Sequence, residues 1–530
     1  MDKDLQSIQQ ARELVEASNK AFLRFKDADQ VLVDKVVAAM AAAGERAAEK
    51  LALHAHKETG FGRVESKIQK NLFATRTLHE RMSGMRTAGI IRRLENDTIW
   101  EIAVPMGVVA GLVPSTNPTS TAMYKAIIAA KARCGIVLSP HPRAVESTCA
   151  ALREVAEAAY TAGAPKGLFG CMTIVSLPGT NELLENPGTG VILATGGTPM
   201  VRAAYSKGKP AYGVGSGNVP VYVDRSADPA KAAADVMYGV SFDWGTLCST
   251  ERSVVVDVPV KKKLIDALKQ EGAFFLNDSQ ADQLRDVVVR NGKLNIDQVG
   301  QSPATIARMA GFSVPESCRG LVVEVTHVGR QEPLSMETLS PILTFYTRDG
   351  WEAGCETCIE ILNFGGMGHT LALHCNNDRV IEAFALQKPA MRIVVNTVAA
   401  LGSVGYTNKL FPAMTLGPGA VGGSITSDNI SPLHLVNIKR LAFETFPVTG
   451  KTRGSREAVH ESTGWIDEIE NRLRARAGNP PYKRPKQRKP LSTPTAISAP
   501  AGRPASQQPV DSPQKLSEAE INAIIDRFKK

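Results

Sequence analysis

Between Thr98 and about Leu435, short apolar runs alternate with helical stretches, and this rhythm limits the folds open to the chain. The runs include Ile102–Pro105, Val108–Val113, Gly135–Leu138, Val191–Ala194 and Val219–Val223. Helical patterns stand between them at Ser120–Ala132, Ala144–Ala162, Pro199–Ser206 and Pro229–Tyr238. Continuous apolar strands separated by helices predict a parallel sheet covered on both faces. From Ser253 a second block repeats the rhythm, with helices expected at Pro259–Glu271, Asp278–Gly292 and Trp351–Leu362 and strands at Gly320–Val328 and Arg392–Asn396. Pro259 suits the first position of its helix, where no backbone N–H is needed. Ahead of the first block, about Leu5 to Arg93 reads as helices, with Val33, Val36, Val37 and Met40 at helical spacing. A chain of 530 residues exceeds one hydrophobic core. The fold class is therefore α/β, with two α/β domains meeting near Gly245. Ligands in such sheets bind at the carboxyl ends of the strands, which places a site at that junction.

Charge is unevenly spread. The net charge is +9, and the eleven basic and five acidic residues between Lys451 and Pro490 leave +6 in that segment alone. The body is thus close to neutral and does not read as a nucleic-acid binder. Residues Gly478–Lys515 are rich in Pro, Ser, Ala, Lys and Arg, the composition of a disordered linker. Trp465, Ile466, Ile469 and Leu473 form a short amphipathic stripe before it. After it, Ser517 and Glu520 form a capping box and Leu516 with Ile521 a hydrophobic staple. Ile521, Ile524, Ile525 and Phe528 then make one apolar helix face, short enough to need a partner. Eight scattered cysteines argue against a disulfide-stapled secreted fold and for a reducing compartment. No signal peptide and no membrane span is expected.

The stretch Ser241–Arg252 places Cys248 among small residues just before the apolar run Val254–Val256, on a loop at a strand edge. A thiol there can act as a nucleophile or can be a buried structural cysteine. Asn117, after a strand and before a helix, can donate to an oxyanion or can cap an Asn-Pro turn. Thr195, Gly196 and Gly197 lie between a strand and a helix, where glycine permits close backbone approach and a helix N-terminus favours phosphate. Glu337 can bind a ribose or serve as a surface acid, and His369 stands in a glycine-dense loop where a structural role is open beside catalysis. Cys355 and Cys358 have no second pair at zinc spacing and read as packing residues, so no metal site is expected.

Together these motifs resemble the aldehyde dehydrogenase superfamily, and within it the CoA-acylating branch of acetaldehyde and propionaldehyde dehydrogenases. The resemblance covers roughly Leu14 to Phe443. It rests on Val113–Thr121, Ser139–Ala144, Leu193–Thr198, Phe242–Glu251, Phe312–Glu316, Glu337–Pro341, Gly365–Thr370 and Leu416–Ser424. It implies Cys248 as nucleophile and Asn117 as oxyanion donor. Thr195, Gly196 and Gly197 would meet the cofactor pyrophosphate and Glu337 the nicotinamide ribose, with Pro114, Ser139 and Gly215 also in the cofactor site and His369 as an accessory residue. It further implies a Rossmann-type NAD/CoA-binding domain with its helical N-terminal region at 1–243, a catalytic domain at 244–423 and a return or oligomerisation segment at 424–446. The linker then occupies 447–515 and the terminal helix 516–530.

Two departures matter. Hydrolytic members carry a glutamate in an E-L-G-G-type stretch, whereas Gly213–Asn218 holds no acid here. Without that base, water attack on a thioester should be slow while a CoA thiolate needs little help. The lysine-and-glutamate pair that reads the adenosine ribose is replaced around Ser139–Arg143, which leaves a lean toward NAD over NADP. The tail resembles the encapsulation peptide of bacterial-microcompartment cargo. The expected protein is a homo-oligomer, dimer or tetramer, in the bacterial cytoplasm, bound to a microcompartment shell protein through residues 516–530. It would convert acetaldehyde or propionaldehyde, NAD and coenzyme A to acyl-CoA and NADH. The alternatives are a hydrolytic aldehyde dehydrogenase, or a scaffold or nucleic-acid-binding role carried by the basic tail.

Overall fold

The computed structural model describes residues 2–290 and 292–449, together with Ala475. The stripe at Trp465–Leu473, the linker and the terminal helix lie outside the described residues. The chain opens with helices Lys3–Phe25, Gln30–Arg46, Ala48–Thr59 and Val64–Leu72. Asp29 caps the second by accepting a hydrogen bond from Leu32 N at 2.8 Å. Val33, Val36, Val37 and Met40 form its buried face, as their spacing requires. Gly60 ends the third helix in the left-handed region, at φ 70°.

The helical reading to Arg93 runs too far. Ile90–Leu94 is a strand, joined to Ile99–Pro105 through Glu95, Asn96 and Asp97, all at positive φ. Consecutive left-handed residues turn the chain back on itself, so these strands pair antiparallel. Val436–Ala442 returns to pair with the second of them, completing a three-stranded antiparallel sheet. The run Ile102–Pro105 therefore belongs here and not to a parallel sheet.

Five parallel strands follow in the spatial order Phe169–Cys171, Gly135–Pro140, Val108–Val113, Thr189–Thr195 and Ala211–Val214. The order reverses between Val108–Val113 and Thr189–Thr195, so the crevice at their carboxyl ends is a topological switch point. The second sheet has seven parallel strands, with Glu251–Asp257 near its middle between Ile342–Arg348 and Val219–Val223. Val219–Val223 and the helix Pro229–Ser241 thus belong with the second sheet, and the chain changes sheets across Gly215–Asn218, well before residue 244.

Smaller corrections have local causes. Pro259 lies in a 3-10 turn, Val258–Val260, and the α-helix begins at Lys261. Helix Asp278–Val288 stops short of Gly292, because Val289–Arg290 pairs with Lys293–Leu294 in a small hairpin. The β-branched Val287–Val289 run favours that exit. Cys149 and Cys171 form a disulfide that the scatter of cysteines did not suggest. Cys355 and Cys358 are buried along helix Gly350–Phe364. No described helix is long and apolar enough to cross a membrane.

Candidate active site

Cys248 occupies a turn between the helix Pro229–Ser241 and the strand Glu251–Asp257. Asp243, Trp244 and Gly245 are all left-handed, at φ 50°, 49° and 73°, and this bend delivers the turn. Arg252 grips it from below. Its guanidinium donates to Ser340 O at 2.8 Å, to Leu247 O at 3.4 Å and to Gly245 O. Ser249 Oγ donates to Ala400 O at 2.9 Å and fixes the far side. Cys248 itself is half-buried. Burial and then the charge of Glu337 push its thiol up to about 12, against the pull of Arg392 and Arg252. Ionisation must therefore be assisted.

Gly217, in the segment between the sheets, lies directly against this turn. A Cβ there would collide with the Cys248 carbonyl oxygen and stand 2.9 Å from His369 Nδ1. Its N–H donates to Glu337 Oε1 at 3.0 Å. Burial pushes the Glu337 carboxyl up to about 7, although Arg252 and the Gly217 N–H favour its charged form. His369 is 1% exposed, with Nδ1 3.0 Å from Thr370 Oγ1 and Nε2 without a hydrogen-bond partner among the described residues. Burial and then the Arg392 charge push it down to about 3, so the ring is neutral at physiological pH.

Asn117 holds the N-cap position of helix Pro118–Lys131 without making a side-chain cap. Its Nδ2 donates to Thr116 Oγ1 at 3.1 Å and its Oδ1 accepts from Lys70 Nζ. Lys70 also bonds Asp243, as does Lys67 at 3.2 Å. This buried cluster was missed in the sequence, where two lysines three apart on a helix read as a solvated face.

At the switch crevice, Gly196 and Gly197 separate the strand Thr189–Thr195 from the helix Thr198–Tyr205. That helix has no side-chain cap, Gly197 is exposed, and a Cβ at Gly196 would meet nothing within 4 Å. Pro199 has no N–H, and those of Met200 and Val201 bond Gly197 O, so what this turn offers a phosphate is open space at the positive end of the helix. Thr195 Oγ1 lies 2.9 Å from Thr415 Oγ1, and Gly215 faces Thr198 across the crevice. Pro114 is half-buried just past the strand Val108–Val113. Ser139 stands apart, buried with its hydroxyl 2.9 Å from Thr180 Oγ1. Phe73, Phe242, Leu247, Leu401, Val404 and Met414 line a mostly apolar recess that Gln69, Lys70 and Tyr406 also border.

The pattern of the aldehyde dehydrogenase family matches residues 4–282, and the chain belongs to that family. It is 40% identical to the bifunctional aldehyde-alcohol dehydrogenase AdhE of Escherichia coli K12 over 436 residues, 81% of this chain and 49% of that protein. The chain thus spans about half the length of that relative. An acetylating aldehyde dehydrogenase of Geobacillus thermoglucosidasius superposes with a TM-score of 0.83 at 48% identity, over 85% of this chain and 100% of that one. A propionaldehyde dehydrogenase of Rhodopseudomonas palustris with bound CoA and an acylated cysteine gives 0.74 at 26% identity, over 82% and 97%.

Proposed function

We propose that the chain is a CoA-acylating aldehyde dehydrogenase acting on short-chain aldehydes such as acetaldehyde and propionaldehyde. The observation that carries this reading is the segment Gly213–Asn218. It holds no acid, and at Gly217 it packs so closely on Cys248 that no side chain fits. The base that hydrolytic relatives keep in this stretch is absent, which favours a thiol over water as acyl acceptor.

In this reading the Cys248 thiolate attacks the aldehyde carbon, forming a C–S bond and leaving charge on oxygen. Arg252 and Arg392 favour the thiolate, and the Asn117 Nδ2–H with nearby backbone N–H groups receives the oxyanion. Thr195, Gly196, Gly197, Gly215 and Pro114 would hold a nicotinamide dinucleotide at the switch crevice, with Glu337 on its ribose. When bound, that group supplies the hydride acceptor that makes a thioester of the thiohemiacetal. CoA sulfur then displaces Cys248 from the acyl carbon. His369, neutral and buried, is an accessory packing residue against Gly217. NAD is the preferred dinucleotide, argued from the replaced ribose-reading pair at Ser139–Arg143.

The division into a cofactor region, a catalytic region beginning with the second sheet at Val219, a returning segment, a linker and a terminal helix belongs to the same proposal. So do a dimer or tetramer, a bacterial cytoplasmic setting and recruitment to a microcompartment shell by residues 516–530. A hydrolytic reading draws on Glu337, a carboxylate with a raised pKa next to Gly217 that is able to serve a water molecule. NADH formation from propionaldehyde and NAD, with and without CoA, separates the two. Sustained turnover only with CoA supports acylation, and equal turnover without it assigns water as the acceptor and Glu337 as its base.

A further inference from the structure

The helix Val64–Leu72 brings Lys67 and Lys70 to one buried face, 2% and 4% exposed, where both meet the fully buried carboxylate of Asp243. Asp243 is already well supplied: it also accepts from Arg63 N at 2.7 Å and from Thr246 Oγ1. Two buried lysines on one carboxylate are one more than charge balance needs, and burial pushes Lys70 down to about 7 against the pull of Asp243. Each carries a desolvation cost that an apolar side chain would not. What Lys67 adds is a bond to Thr116 O at 3.2 Å, and what Lys70 adds is a bond to Asn117 Oδ1. The amide has two ends. While Lys70 is protonated, the reversed orientation would set donor against donor, so Nδ2 is fixed on the opposite side. Asp243 itself lies in the left-handed bend that carries Cys248.

We propose that Lys70 is a positioning residue for the oxyanion donor, fixing and polarising the Asn117 amide and, through Asp243, tying it to the nucleophile turn. The proposal rests on the reading of Asn117 and Cys248 given above. Polarising the amide oxygen strengthens the opposite N–H bonds at the moment charge develops on the substrate, so the effect belongs to kcat more than to KM.

A double-mutant cycle on the full chain tests this, comparing Lys70→Met, Asn117→Ala and the pair. Lys70→Met is expected to lose about ten- to a hundredfold in kcat, the range for residues that orient a ligating group. The aldehyde KM should stay within about threefold, and the rate of Cys248 alkylation by iodoacetamide should be unchanged. Because Lys70 acts through Asn117, the pair should match Asn117→Ala within about twofold. Losses that multiply, or a Lys70→Met enzyme with wild-type kcat, overturn the proposal. Lys70→Gln keeps an N–H donor without the charge. It is expected to fall between wild type and Lys70→Met, and it serves alone if Lys70→Met does not fold, with wild-type kcat again overturning the proposal. If Asn117→Ala turns over at the wild-type rate, the oxyanion reading fails and the proposal with it. That result differs from failure at Lys70, where Asn117→Ala is impaired and the lysine variants are not.

Discussion

Two kinds of glycine-bearing segment meet the reaction centre, and they use the missing side chain in opposite ways. At Gly196–Gly197 the space beyond the backbone is open, at the N-terminal end of the next helix. At Gly215–Asn218 and Gly365–Gly368 the space is filled by the protein. Gly217 abuts the Cys248 carbonyl and the His369 ring, and Gly366 abuts Asn218 N. The first pair makes room for a ligand. The second lets the nucleophile turn, the inter-sheet crossing and the His369 loop pack closely together, so Gly217 itself has no room to carry a side chain. Glycine in a sequence states only that a Cβ is unwelcome; the structure says whether ligand or protein takes its place.

Substitutions sharpen that contrast. The largest effect is expected from Gly217→Ala, whose methyl must displace the Cys248 carbonyl. Turnover should fall by about 10²–10³, as for loss of an oxyanion donor, because the N–H groups near Cys248 move with it. A Gly217→Ala enzyme with wild-type kcat contradicts the close packing. Gly366→Ala comes next. It puts a Cβ on Asn218 N at φ 84°, and its cost should be about 1–3 kcal/mol of stability in denaturant melts.

Glu337, bonded to Gly217, gives a smaller, pH-dependent effect. Its carboxyl sits at about 7 against a usual 4.5, so it becomes protonated as pH falls through neutrality and accepts poorly from a ribose. The KM for NAD should rise below about pH 7 and be flat in Glu337→Gln. The sign for stability follows from the same shift. The folded chain keeps a proton that an unfolded carboxyl releases, so the stability Glu337 contributes is full below 4.5 and fades as pH climbs to about 7. Smallest of all is Gly196→Ala. With nothing within 4 Å it should leave the unfolding free energy within about 0.5 kcal/mol and raise only the KM for NAD. A large loss of stability there would erase the distinction between the two segments.

Much of this was legible in the sequence. The apolar runs marked the strands because a doubly covered parallel strand has no polar face to disguise it. Cys248 stood out between a glycine and such a run. The antiparallel sheet was not legible, since its third strand comes from Val436–Ala442 and only long-range pairing makes Ile90–Leu94 a strand. The change of sheet at Val219 left no local mark for the same reason. The Lys67, Lys70 and Asp243 cluster hid because charged residues on a helix normally face water. The hydroxyl of Ser139 turned to Thr180, a choice made by packing across helices and not by the strand that carries it.

The central claim is that an acyl group on Cys248 waits for CoA and resists water. Its most direct test is the lifetime of that thioester. The enzyme is mixed with propionaldehyde and NAD in the absence of CoA and followed by intact-protein mass spectrometry, with Cys248→Ala as the blank. The account predicts one propionyl group on the wild-type chain, stable over many turnover times and discharged within the mixing time when CoA is added. An adduct that disappears at the same rate with and without CoA would contradict it.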